Sequence, residues 1–220
     1  MEQVIAFLEE LAQHNYKEWF DAHKGEYLQA KNTIAEVAVE LISRIAAFDP
    51  RMAGLRVEDC TYRIYRDIRF SPDKSPYKTH MGIYVCAGGK KSGRAGYYLH
   101  IEPATGTYFL CSGLYNPTKE MMKSIREEIM LSGEKLDSAI KAAKGFEIDW
   151  DGALTRLPLG WQEGPYSDSY RLKSYLLMKP LKRKYITDPG LARRAARDLK
   201  PTSAFCELLN RCVDYVLEGE

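Results

Sequence analysis

Between residues 61 and 112 the chain alternates apolar and polar side chains with a period of two, in four runs joined by short connections. The runs cover residues 61–70, about 82–87, 97–102 and 107–112. A period of two rich in β-branched and aromatic residues is the mark of strands. Parallel neighbours need a crossover of about a dozen residues or more, so these connections dictate an antiparallel meander.

The first run carries the most chemistry. Tyr62, Ile64, Arg66, Ile68 and Phe70 share one parity, and Arg63, Tyr65, Asp67 and Arg69 the other. Arg66 is the misfit on the apolar side. Ser71-Pro72-Asp73 and Ser75-Pro76 end the run, because proline removes a donor and turns the preceding residue away from helix. A strand entering a rigid basic loop with Lys74, Tyr77, Lys78 and His80 is the expectation. Guanidinium forks match carboxylate and phosphate oxygens, and lysines add mobile positive charge. Arg66, Arg69, Lys74, Tyr77 and Lys78 are therefore candidate ligand-binding residues for a small anion. The same residues also compose an internal ion-pair network with Asp67 and Asp73, and this second reading stands beside the first.

Downstream, in GYYLHIE, His100 and Glu102 share the polar parity of their strand. If that face also bears Arg63, Asp67 and Arg69, then His100, Asp67 and Glu102 are the candidate acid–base groups. Cys111 becomes a nucleophile only beside a base. The run GGKKSGRAG, residues 88–96, lies between two strand patterns and reads as a mobile hairpin loop rather than a phosphate cradle.

Helical periodicity occupies both ends. Val4, Ile5, Leu8 and Leu11 mark a short helix, and Asn15 with Glu18 reads as a capping pair opening a second through Trp19 and Phe20. Tyr16, Trp19, Phe20 and Tyr27 read as core aromatics. Ile34, Val37, Ala38, Leu41, Ile42 and Ile45 give a longer helix that stops at Asp49-Pro50. After the meander, Pro117-Thr118 starts a helix through Met121, Met122, Ile125 and Ile129, and Ser132 caps another from Glu134 to Lys144. Residues 146–164 read as short strands and loops, and residues 175–185 as a strand broken by Pro180. Asp188-Pro189 opens a helical tail interrupted at Pro201. The sum is an α+β fold, a mainly antiparallel sheet of five or six strands flanked by N-terminal and C-terminal helices, in one domain over residues 1–220.

A net charge of +2 gives no global drive toward nucleic acid or acidic membrane, so any basic site is local. The acidic N-terminus lacks a secretory pattern, and no apolar run reaches membrane-spanning length. The five cysteines are scattered without a CxxC pair, which argues against a disulfide framework or zinc site and for a cytoplasmic, soluble protein. No metal motif is found, and no cofactor is indicated.

Several segments together resemble a bacterial and fungal family, the domain of unknown function 2461. They are Asn15 to Tyr27 (NYKEWFDAHKGEY), Arg66 to His80 (RDIRFSPDKSPYKTH), Gly96 to Pro103 (GYYLHIEP) and Ser112 to Pro117 (SGLYNP). Ile125-Arg126, Arg171 to Tyr175 (RLKSY) and Leu199 to Asn210 (LKPTSAFCELLN) follow in the family's order. The resemblance implies Arg66, Asp67, Arg69, Phe70, Ser71, Asp73, Lys74, Pro76, Tyr77, Lys78 and Thr79 as the signature, and touches His100, Glu102 and Lys173. Glu163-Gly164-Pro165 departs from it, since a histidine is expected before that proline. The resemblance implies no assigned activity or catalytic residues. Three functions therefore remain: a small-anion site on the sheet with acid–base chemistry, a nucleic-acid module in which tyrosines stack bases, and a non-catalytic partner-binding scaffold.

Overall fold

The computed structural model describes residues 1–219. In chain order it runs α1 (Glu2–Gln13), α2 (Lys17–Ala22), α3 (Lys24–Ala46), α4 (Val57–Cys60), β1 (Met81–Cys86), β2 (Gly96–Glu102) and β3 (Thr107–Leu114). Then come α5 (Lys119–Ala142), β4 (Glu147–Ile148), α6 (Ser167–Tyr170), β5 (Tyr175–Pro180), α7 (Arg183–Ile186), α8 (Leu191–Leu199) and α9 (Ser203–Glu218). The five strands form one antiparallel sheet in the order β1-β2-β3-β5-β4, so the fold is α+β with a meander at its centre.

Period-two alternation sorts the sheet into two faces. Ile83, Val85, Tyr97, Leu99, Ile101, Leu110, Tyr175 and Leu177 are buried against α1, α3, α8 and α9. Burying each such side chain contributes roughly 1.5–3 kcal/mol, so this layer supplies most of the drive to fold. The opposite face carries Tyr84, Tyr98, His100, Glu102, Phe109 and Cys111, and the cavity over it is lined by strand and loop residues.

Several sequence expectations need correction. Residues 61–70 are not a strand: only an isolated Thr61–Ile83 bridge touches β1, and Tyr65 bridges back to Tyr77. The run folds on itself because its own backbone closes the loop, Arg66 N donating to Pro76 O at 2.9 Å and Lys78 N to Ile64 O at 2.8 Å. Asn15 does not cap α2, which begins after Tyr16 without a side-chain cap. Its amide instead pairs with the Tyr77 peptide, Nδ2 donating to Tyr77 O at 2.9 Å and Oδ1 accepting Tyr77 N–H at 3.0 Å.

Ser132 is a kink rather than a new cap, the one residue with non-helical angles inside α5 (φ −150°, ψ 43°). Asp188 does not cap at proline either. It accepts Gly190 N–H at 2.7 Å, and α8 starts one residue beyond Gly190. The glycine-rich segment at 88–96 is anchored: Lys90 N donates to Asp59 O at 2.8 Å, and buried Asn210 holds both peptide groups of Ala95 at 2.9 and 3.0 Å.

Candidate functional site on the open face of the sheet

The uncovered face is concave because its floor is partly backbone. Gly96 and Gly113 are partners on β2 and β3, and Gly82 faces His100 on β1. Gly82 is required by close approach: a Cβ there would lie 2.3 Å from the Tyr98 hydroxyl. Tyr98 therefore lies flat over β1. A cavity of about 590 Å³ opens above, walled by Tyr62, Tyr84, Tyr98, Phe109 and Tyr115, with Lys90 and Arg94 at one side. Its size is that of a small-molecule site.

The polar groups converge at one end. Met81 pairs with Ile101, so the next step along the register sets His80 opposite Glu102. His100 Nε2 lies 3.6 Å from Glu102 Oε2, and His80 Nδ1 lies 4.0 Å from Glu102 Oε1. Tyr98 Oη is 3.0 Å from His100 Nδ1. His100 also stacks on Phe109, centroids 4.5 Å apart and planes within 10°. A carboxylate beside Nε2 favours the Nε2–H tautomer, which leaves Nδ1 to accept the tyrosine proton. The result is a chain from Tyr98 through His100 to Glu102, with His80 on the other carboxylate oxygen.

Burial lowers both imidazoles from their ordinary value of 6.5, aided for His100 by its neighbour His80 and opposed in both by Glu102. Both rings are thus neutral at pH 7. His100 is the deeper (side chain 11% exposed) and His80 the more open (37%), with Glu102 at 24%. His80 is the ring a bound molecule can reach. The Glu102 carboxylate lies 4.0 Å from its Nδ1 and the His100 ring 5.0 Å away, placing an acid and a second imidazole beside a candidate general base. Burial raises the Tyr98 phenol and the Cys111 thiol, so both stay protonated and Cys111 is not a ready nucleophile. Among the described residues no group of three or more His, Cys, Asp or Glu side chains is arranged to hold a metal ion.

The depressed histidines give stability a definite pH dependence. Below 6.5 the unfolded chain takes up protons that the folded rings resist, so the unfolded state binds more. This contribution is fully present above 6.5 and is lost as pH falls through the lowered folded values. We expect the melting temperature to drop on acidification below 6.5, and His100→Asn to flatten that limb. An unchanged limb in His100→Asn, or an NMR titration midpoint for His100 above 6.5, would remove the neutral-pair description.

The structure places the sequence candidates in two groups. His100 and Glu102 join this site, together with His80. Asp67 stands apart, on the outer loop, held by Arg69 through Nε at 2.9 Å and Nη2 at 2.6 Å. Arg66 pairs with Asp73 and donates to Ser75 O at 3.1 Å. The Ser75 hydroxyl and amide, and then Arg66, hold the Asp73 carboxyl down to about 2. Lys74 Nζ donates to Ile68 O at 2.9 Å, and buried Tyr77 stacks on Phe20 at 4.0 Å. Lys78 donates to Arg63 O at 3.0 Å and lies with its ammonium 5.5 Å from the centre of the Tyr62 ring, which walls the cavity. Sequence reasoning missed His80 as a partner of Glu102, and missed Tyr98, Phe109 and Lys90. The aromatic parity of YYLHIE and TYFLCS was visible, but only strand register brings these side chains together.

The fold and cavity define an α+β protein with a histidine-bearing aromatic basin on the free face of an antiparallel sheet. The chain belongs to the conserved hypothetical protein family DUF2461, whose profile matches residues 3–207. No curated protein and no solved structure matches the sequence.

Proposed function

We propose that the protein binds a small organic molecule with a flat apolar body and an anionic substituent in this basin, and that His80 exchanges a proton with it. The observation that supports this best is the convergence of two neutral imidazoles on one carboxylate at the end of an aromatic-walled cavity of about 590 Å³. Tyr98, Phe109 and Tyr62 offer ring faces to the body of the ligand. Lys90 and Lys78 flank the Tyr62 ring at 5.9 and 5.5 Å and supply positive charge at the rim. Arg66, Arg69, Lys74 and Tyr77 act in this reading as the frame of the neighbouring loop, since each is already engaged within the chain.

Ligand-observed NMR against aromatic and heteroaromatic acids, their neutral parents, nucleotides and short oligonucleotides tests the proposal. We expect small aromatic acids to bind, and Phe109→Ala to weaken them about three- to tenfold through the lost ring contact. Single-stranded oligonucleotides binding with a steep salt dependence would favour the nucleic-acid module instead. If no small molecule engages the folded protein, or Phe109→Ala and His80→Ala both bind like wild type, the reading is wrong.

A further inference from the structure

A second cleft of about 60 Å³ adjoins the main cavity, with His80 and Tyr62 forming the wall common to both. Lys31 on α3, Arg63 on the outer loop and Lys78 after it line this cleft. Among the described residues none of the three has a carboxylate within ion-pair distance. Other cations of the chain, among them Arg66, Arg69, Arg94, Arg171, Arg183 and Arg194, do hold an acid. The Lys78 ammonium spends one hydrogen on Arg63 O at 3.0 Å, which leaves the others for a guest.

Three cations lining a space of this size, none in an ion pair, repel one another, and an oxyanion between them relieves that repulsion. Burial and the Arg63 charge already depress the Lys78 ammonium, as expected where like charges meet. The volume suits one tetrahedral group and little else. A carboxylate would bring one negative charge to three positive ones, whereas a phosphoryl group brings about two.

We infer that this side cleft takes the phosphoryl group of a small phosphoester whose organic part lies across His80 in the main cavity. The assignment of the organic part rests on the function proposed above. The phosphate subsite itself rests on the unpaired cations and the cleft. His80 then sits between the two subsites with its ring beside the linking bond.

Inorganic phosphate titrated into the full-length protein, followed through the imidazole resonances, is the test. His80 should respond saturably and its midpoint should rise by about one unit, as a dianion favours the charged ring. Chloride and acetate at equal ionic strength should not reproduce this. Arg63→Gln, an exposed residue whose replacement leaves the core alone, and Lys78→Gln should each weaken phosphate at least about tenfold, the equivalent of about 1.4 kcal/mol. Phenol serves as the neutral probe of the main cavity and should perturb His100 equally in wild type and Arg63→Gln. If phenol binds while phosphate behaves like chloride, or phosphate binds both variants like wild type, the phosphoryl subsite is wrong and the basin reading survives. If phosphate binds as described and phenol does not, the subsite stands and the basin reading falls.

Discussion

Replacing Gly113 with valine lowers the stability of the chain by about 2–6 kcal/mol, the combined scale of backbone strain and overpacking. Gly113 sits at φ 133°, and a Cβ there would lie 2.0 Å from the Tyr175 carbonyl oxygen and 3.0 Å from the Phe205 ring. Backbone cannot move aside as a flexible side chain can. Gly113 pairs with Gly96 on one side and Leu176 on the other, so any shift spreads into β2 and β5. Domains are commonly stable by about 5–15 kcal/mol, and a loss of this size takes much of that margin. Urea unfolding followed by far-UV circular dichroism should show the midpoint fall with little change in slope. A loss below about 1 kcal/mol would mean that the β3–β5 ladder is looser than described.

The second large effect belongs to Asn210. Its side chain is fully buried and closes two hydrogen bonds with one residue, accepting Ala95 N–H at 2.9 Å and donating to Ala95 O at 3.0 Å. Asn210→Ala orphans a buried donor and a buried acceptor, each costing about 1–3 kcal/mol, for a total of about 2–6 kcal/mol. Lost packing alone would also destabilise, so hydrogen exchange at the Ala95 amide is the discriminating measurement. We expect that amide to lose protection beyond the change in global stability. If it stays as protected as its β2 neighbours while the chain is destabilised, the loss comes from the cavity and not from the pin.

The meander, the flanking helices and the shared parity of His100 and Glu102 were legible because each follows from a period of two or of 3.6. The outer loop was misread for a physical reason. Alternation at Tyr62 to Phe70 reports a half-buried chain, and half-burial also arises where a loop packs on helices: Ile64 is buried and Tyr77 stacks on Phe20 without any ladder. Arg66, out of place on a strand's apolar side, is in place as the tie between Asp73 and Ser75. His80 was missed because its proximity to Glu102 depends on the β1–β2 register, which no single-sequence pattern encodes. Asn15 carried a cap's signature yet serves a residue sixty-two positions away.

Asn15 and Asn210 perform the same act from opposite ends of the chain. One fastens Tyr77 within the signature loop, and the other fastens Ala95 at the entrance to β2. Each pin spans a long sequence separation, so each forms late, after loop closure has been paid for by the sheet and helices around it. During synthesis the strand bearing His100 emerges more than a hundred residues before the amide that secures its start. The nascent sheet must wait, with the apolar face that α9 covers still bare, until α9 docks. Until that contact forms, the uncovered apolar face is where the chain is most open to association with other unfinished chains.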